Sequence, residues 1–407
     1  MAAARKKKIT ERDVTGLKYF RQLLPLFERL HEVGCERDKA GNRQLHMDQY
    51  CALVLLFLFN PCLRSLRALQ QASELRNVQR KLGCPRTSLG SLSEATDVFD
   101  PERLREIIGE LAEQTRPVRD LAGNELTQLL TAVDGSVVQT LSTVAEAAYL
   151  KNRHGQSKSA WRLHTHFDVV RGVPTRIDVT GGKNSGKTDE KNVLRQHLAA
   201  DHCYVMDRWY AQFTLFNEIQ AVGSSYVCRV RDNSRYEVLQ SRRLSEAAGE
   251  ANILSDEQVE LGLSKQLAER PDHQVRLVCV QVTPHVKRGG RKGGSSGPPS
   301  DGVLRIATNL LDVPAEVIAD IYRHRWTIEL FFRFFKHVLG CRHLLSQDRA
   351  GIEIQTYCAI IACLLISLTT GAKPTLRTYE MVCLYLQGWA DEEELLAHLA
   401  KLKPHQA

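Results

Sequence analysis

The chain has 407 residues, 43% of them hydrophobic and 25% charged, proportions close to those of globular domains, which exclude a disordered, collagenous or coiled-coil chain. At roughly 100 to 200 residues per domain, the length suits two to four domains. Its 55 Lys and Arg exceed its 47 Asp and Glu for a net charge of +8, which suits a polyanionic partner without specifying one.

Residues 1–9, MAAARKKKI, carry four cations and lead into no apolar signal segment, so they read as a solvated tail and argue against export. Residues 10–125 read as helical. Leu23, Leu26, Phe27 and Leu30 recur on one helix face, Cys51 to Phe59 is an apolar run, and Pro101 opens another helix. Arg86 to Phe99 sets Ser and Gly punctuation between short helical pieces, which suits a helix-turn-helix and plain three-helix packing equally. The expectation for 1–125 is a helical N-terminal domain that binds DNA.

From 126 the pattern changes to short β-like runs, LLTAVDG, WRLHTHFDVVRG and PTRIDVTGG, then a helical stretch TDEKNVLRQHLA and a further run CYVMD. The alternation implies a mixed α/β sheet. SSYVCRVRD at 224–232 is another strand candidate. Periodicity then weakens through 233–302, which reads as a β-rich insertion holding VRLVCVQVTP and a basic Gly-rich loop with four cations from Lys287 to Lys292. From Pro314 an amphipathic helix runs to about Leu339, followed by apolar helices from Ile352 to Thr370 and in the tail. The expected segments are therefore 126–232, 233–302, 303–350 and 351–407. Cys358 to Leu368, eleven residues, is too short for a bilayer, which needs about 20, so no membrane partner is expected. The eleven cysteines include no C-x-x-C pair and read as mostly reduced, buried small hydrophobes of a cytoplasmic protein.

Three acidic residues stand where a scaffold can aim them at one point: Asp134 ends LLTAVD, Asp207 ends CYVMD, and Glu329 lies within the long helix. Ligand sites in α/β sheets lie beyond the carboxyl ends of strands, and converging carboxylates bind hard divalent cations such as Mg²⁺. With about 100° per residue and Tyr322 at 0°, Arg325 falls at roughly 300°, Glu329 at roughly 340° and Lys336 at roughly 320°. Trp326 and Arg333 border this stripe. Ile321, Ile328, Phe331, Phe332, Phe334, Phe335, Val338 and Leu339 make the opposite, packing face. Arg325 and Lys336 can thus contact phosphates on either side of Glu329, and Trp326 offers a stacking surface for an unpaired base.

Tyr322-x2-Arg325-x3-Glu329-x6-Lys336 resembles the Y-(2)-R-(3)-E-(6)-K signature of DDE transposases of insertion-sequence family 4. AVDGS and VMDRWY resemble that family's two Asp blocks, and the likeness covers roughly 126–365. It implies a ribonuclease H-like core with a β-rich insertion between the second Asp and the Glu, preceded by an all-α part. It also implies cut-and-paste transposition of an insertion sequence by metal-dependent DNA cleavage and strand transfer. Asp134, Asp207 and Glu329 are then the catalytic metal ligands, with Mg²⁺ or its substitute Mn²⁺. Tyr322, Arg325, Trp326, Arg333 and Lys336 are then the DNA contacts. The implied partners are double-stranded DNA, both terminal inverted repeats and target, and a second copy of the chain. The implied location is the bacterial cytoplasm, at the nucleoid when DNA is bound. Trp209 departs from the more usual Asp-Arg-Gly-Tyr of the second block.

One competing pattern is Gly181 to Thr188, GGKNSGKT, which satisfies G-x4-G-K-T. In a P-loop ATPase Lys187 contacts phosphates and Thr188 holds Mg²⁺. That reading leaves Asp134 and the Tyr322 to Lys336 stripe without a role, and Thr188 as cap of the following helix explains the turn. His164 and His166 alternate on one strand face without a third ligand and read as structural. Asp168 is a weaker metal candidate. The acidic run Asp391 to Glu394 suits the first turn of a final helix.

Overall fold

The computed structural model describes residues 24–33, 37, 38, 41, 43–117, 126–139, 149–151, 157–182, 186–262, 270–282, 301–339, 344–370 and 373–401. The basic tail and most of the Gly-rich loop lie outside the described residues.

Among the described residues up to 117 the secondary structure is helical: α1 (Leu24–Glu28), α2 (Leu30–Val33), α3 (Met47–Leu58), α4 (Leu66–Ser73), α5 (Arg76–Leu82), α6 (Leu89–Val98) and α7 (Glu102–Gln114). The segment 86–99 does not punctuate short pieces. The Ser88 hydroxyl accepts from Ser91 N at 3.0 Å and caps one continuous helix, α6, with Gly90 inside its first turn. The Ser and Gly that suggested a turn between helices are an N-cap and a tolerated helical glycine.

Ten strands form one sheet among the described residues. They are β1 (Leu129–Gln139), β2 (Tyr149–Lys151), β3 (Ser157–Asp168), β4 (Val173–Gly181), β5 (His202–Met206), β6 (Ser225–Arg229), β7 (Tyr236–Ser241), β8 (Ile253–Leu261), β9 (Val275–Gln281) and β10 (Val303–Thr308). Strands β4, β3 and β1 pair antiparallel, and β1, β5 and β6 pair parallel. This is the ribonuclease H-like order. Short helices α8 (Glu190–Arg195) and α9 (Phe213–Ala221) lie in the connections that lead into and join the parallel strands. Next to β6 the sheet continues through β10, β9, β8 and β7, so the inserted region extends the same sheet. Strand β7 is exposed at almost every residue, which explains why its sequence shows no inward-outward alternation.

Arg276 of β9 makes two 2.7 Å bonds to Asp256 of β8, both residues being buried. It also donates to the carbonyls of Leu310 (3.1 Å), Leu311 (3.3 Å) and Val313. The insertion is thereby tied to the loop that enters α11 (Ala315–His324). Helix α10 (Glu246–Glu250) lies between β7 and β8.

The expected single helix from Pro314 is two, α11 and α12 (Trp326–Leu339), separated by a turn at Arg325. Arg325 N bonds Tyr322 O at 3.0 Å and Ile328 N bonds Arg325 O at 3.2 Å, both three residues back. The Thr327 hydroxyl donates to His324 O at 2.8 Å, competing with the main chain for that carbonyl. The packing face is as expected where described: Ile321, Ile328, Phe331, Phe332, Phe334 and Phe335 are buried.

Helix α13 (Arg349–Thr370) is apolar on all sides and packs on α3, α7, α12 and β4. Its span Arg349–Leu368 is long and apolar enough to cross a membrane, but 94% of that window is buried inside the protein. Arg105 of α7 donates to Tyr357 Oη of α13 (2.9 Å) and to Asp178 of β4 (2.8 Å), fastening N-terminal helix, C-terminal helix and sheet together. Helices α14 (Leu376–Leu386) and α15 (Glu392–Lys401) follow. Asp391 and Glu394 exchange bonds of 2.8 and 3.0 Å at the start of α15. The described cysteines are all unbridged and, save Cys62, buried.

Candidate active site

The parallel register of β1 and β5 ends at Ala132 opposite Val205. Two residues on come Asp134 and Asp207, side by side where the parallel pairing stops; Asp207 follows the end of β5, whereas Asp134 does not end its strand as expected, because β1 runs on to Gln139 paired with β3. Asp134 Oδ1 accepts from Gly135 N at 2.8 Å, and Asp207 Oδ1 accepts from Trp209 N at 2.8 Å. Both carboxylates are therefore oriented by the backbone that follows them.

The helical side delivers the third acid. Arg325 Nη2 lies 2.6 Å from Glu329 Oε1 and Nη1 lies 4.0 Å from Asp134 Oδ2. One guanidinium thus links the acid on α12 to the acid on β1 across the sheet end, despite the break in the helix. Tyr322 is part of the same cluster. Its phenol is pushed up to about 12, first by burial, with Arg325 opposing the rise and Asp207 adding to it. Trp326 is exposed, and the Arg333 guanidinium lies 5.5 Å from its ring centre. Lys336 is half-buried on the same helix. Val338 and Leu339 have no described side chains.

A fourth carboxylate stands here that the sequence reading does not single out. Glu190, in the first turn of α8, is buried and ion-paired with Arg162 of β3. A Cβ on Gly135 would sit 2.5 Å from Glu190 Oε1, so Glu190 packs against the backbone of the residue after Asp134. The available signal was the DG pair after an apolar strand, facing an acid at the next helix start. Tyr210, three residues past Asp207, is buried beside Glu190, Asp134 and Asp207, and its phenol is raised, first by burial and then by these carboxylates.

Burial and charge together raise Asp134 and Glu190. Asp134, Asp207, Glu190 and Glu329 face the guanidiniums of Arg325 and Arg162, four carboxylates against two cations. The Asp134 carboxyl is pushed up to about 7, first by burial, with Gly135 N and Arg325 opposing and Asp207 and Glu190 adding to it. Glu190 is raised as well, by burial and then by Asp207 and Asp189 against Arg162. A surplus of hard oxygen donors with too little positive charge fits a divalent cation. Among the described residues no three His, Cys, Asp or Glu side chains already form a cage. Arg325 stands between Asp134 and Glu329, so joint ligation by these two requires the guanidinium to turn outward.

The competing features have other roles. Residues 183–185 of the GGKNSGKT segment lie outside the described residues. Gly186 to Thr188 make one 3-10 turn, and the cap of α8 is Asp189, which accepts from Lys191 N at 3.0 Å, not Thr188. Asp wins because its carboxylate reaches the free amides of the first turn and complements their positive end. Gly182 is held against Ala160 O, which a Cβ would approach to 2.5 Å. His164 and His166 are buried, their imidazoles lowered to about 4 and about 3, first by burial. His164 Nε2 bonds Thr180 Oγ1 at 2.7 Å. Asp168 is buried at the end of β3, accepting from Arg171 N at 2.8 Å and its guanidinium at 3.0 Å.

Comparison with known proteins gives this geometry a lineage. The model of the family described as Transposase DDE domain matches residues 125–365, more than half of the chain and inclusive of Gly181 to Thr188. A protein of Sinorhizobium fredii (strain NBRC 101917 / NGR234) named as transposase y4zB is 25% identical over 231 residues, 55% of this chain and 59% of that protein. A Synechocystis protein (strain ATCC 27184 / PCC 6803 / Kazusa) named as a transposase for insertion sequence element IS4SA is 22% identical over 342 residues, 81% of this chain and 86% of that one. Among solved structures, a piggyBac transposase synaptic complex with hairpin DNA aligns with a TM-score of 0.44 and 9% identity, over 94% of this chain and 84% of that chain. The chain spans little more than half the length of the first of these relatives. DDE transposases generally depend on a divalent metal. On the family match, the chain belongs to the DDE transposase domain family.

Proposed function

We propose that this chain moves a DNA segment by cut-and-paste transposition, with Asp134, Asp207 and Glu329 as the catalytic carboxylates and metal ligands. Mg²⁺ is the expected ion, with Mn²⁺ as its substitute; when bound it supplies an activated oxygen nucleophile and charge neutralisation for in-line phosphoryl transfer. The observation that carries the reading is the single guanidinium of Arg325 reaching both Asp134 and Glu329, beside the Asp134–Asp207 register.

The protein groups have separate tasks. Asp134, within β1, and Asp207, just past β5, are held by the backbone amides that follow them, so they need no rearrangement to present oxygens to a cation. Arg325 releases Glu329 and Asp134 on meeting a phosphate, exchanging one anionic partner for another. Tyr322 and Lys336 flank it as further phosphate contacts, while Trp326 with Arg333 offers an aromatic face to a base. The substrates are the two ends of the mobile segment and a target duplex, and two copies of the chain hold the two ends. The working location is the bacterial cytoplasm, on the nucleoid. The segments 1–125, 233–302 and 351–407 support the core, the first as the DNA-binding part.

The discriminating experiment compares two variants on DNA bearing the sequences that flank the coding region. Asp207→Ala should abolish metal-dependent nicking and leave DNA binding intact, whereas Lys187→Ala should nick normally. A Lys187→Ala protein that loses nicking together with a measurable ATP turnover would favour the nucleotide-binding reading instead.

A further inference from the structure

Trp209 is an exposed tryptophan on a rigid mount. The residue is 46% exposed, although an aromatic surface of that size gains by burial. Its backbone is not free: Trp209 N is bonded to Asp207 Oδ1 at 2.8 Å, and Tyr210 N to Asp207 O at 3.1 Å. Tyr210 is only 2% exposed, so the turn is anchored on its far side by a buried phenol. Tight turn and anchor together hold residues 208 and 209 outward, where Arg208 is exposed too. Over the ring, 4.6 Å from its centre, stands Lys191 Nζ, which also lies 3.8 Å from Asp189.

We propose that Trp209, with Lys191 beside it, is a binding site for an unpaired DNA base next to the acidic centre. The inference rests on the DNA-strand reading given above and names a part of the substrate that meets the sheet side of that site. A paired base inside a duplex has both faces occupied by its neighbours, so only a base freed from the stack can lie on an indole. The hydrogen bond that fixes the backbone of Trp209 ends on a carboxylate oxygen of Asp207, so a nucleotide whose base lies on the ring is held beside that acid. Lys191 and Arg208 supply positive charge for the phosphate of that nucleotide. Trp326 and Arg333 sit on the helical side; Trp209 gives the strand side its own aromatic face. Because the backbone that carries the ring is already fixed, stacking orders only the side chain.

The test measures affinity without added divalent cation for two probes of the same sequence, a blunt duplex and a duplex with a short splayed end carrying 2-aminopurine. In a Trp326→Phe, Trp389→Phe background, emission comes from Trp209 and the buried Trp161. The splayed probe should bind more tightly than the blunt one and quench this emission. Trp209→Ala should reduce splayed-end affinity by roughly 5- to 150-fold, the range for one stacked base, with blunt-duplex affinity unchanged. Trp209→Phe should retain most of the preference, and all variants should melt as the parent does. A preference that survives Trp209→Ala, an equal loss on both probes, or no preference in the parent overturns the inference alone. A parent protein that binds neither probe overturns it together with the transposition reading.

Discussion

Arg325 and Glu329 are 2.6 Å apart across one helical turn, and the same guanidinium reaches Asp134 on the sheet at 4.0 Å. Arg325 is therefore both the link between the two halves of the site and the cation nearest its most perturbed carboxylate.

Replacing Arg325 by Gln should cut strand cleavage by about 10²-fold or more, the scale for removing one well-placed charge-stabilising donor. It should also shift the pH dependence. The guanidinium opposes the rise of the Asp134 carboxyl, which stands at about 7, so without it the acidic limb of the pH–rate profile moves to higher pH. Arg325→Lys keeps the charge and should move that limb less. Identical limbs in Gln, Lys and parent proteins would break the link between Arg325 and Asp134.

Stability without divalent cation should depend on pH through the same group. The Asp134 carboxyl rises from an ordinary 3.8 to about 7 in the folded chain, so the folded state holds a proton that the unfolded chain has released. Its contribution is fully present below 3.8 and is lost as pH rises through about 7. Glu190, raised as well, acts in the same direction. Thermal melts at pH 5 and pH 8 should show the parent losing stability relative to Asp134→Asn, and added Mn²⁺ should restore the parent at the higher pH. A pH-independent difference between the two proteins contradicts this.

Much of this site was legible in the sequence, for a definite reason. Asp134 and Asp207 each end an apolar run, and Tyr322, Arg325, Glu329 and Lys336 follow helical spacing, so local pattern marks the two neighbouring strands and one helix face, although β1 continues past Asp134 to Gln139. The break at Arg325 was not legible, because the spacing is helical throughout and nothing in it marks the hydroxyl of Thr327 as a partner for the carbonyl of His324. Glu190 and Arg162 were hidden for another reason: their pairing joins a helix start to the middle of a distant strand. Strands β7 and β8 escaped notice because β7 has almost no buried face, while β10 is a short run whose partners lie far away in the chain.

Gly135 offers a way to test the Glu190 contact. A methyl group at 135 meets Glu190 Oε1 at 2.5 Å, so Gly135→Ala must push that carboxylate or bend the strand that carries Asp134. Cleavage should fall by roughly 10²-fold, as a displacement near 1 Å beside the reacting groups can cause. Shortening the acid in the Gly135→Ala, Glu190→Asp double variant should recover part of that loss. A double-mutant cycle with no coupling between positions 135 and 190 would contradict the packing argument.

The Asp256–Arg276 pair governs stability rather than chemistry. Asp256→Ala leaves a buried guanidinium without its carboxylate, at a cost of about 3–5 kcal/mol, and loosens the loop 310–313 that enters α11. Denaturant unfolding should report a loss of that size. A change under about 1 kcal/mol, the scale of an exposed pair, would show that Arg276 finds enough compensation in the carbonyls around it.

The most direct measurement is anomalous diffraction from crystals of the protein grown with Mn²⁺ and DNA. The expected result is manganese density bounded by carboxylate oxygens of Asp134, Asp207 and Glu329, with the Arg325 guanidinium turned from Glu329 toward a phosphate. Manganese bound elsewhere, or Arg325 still bonded to Glu329 while an ion is held by other residues, would contradict the assignment of these three acids.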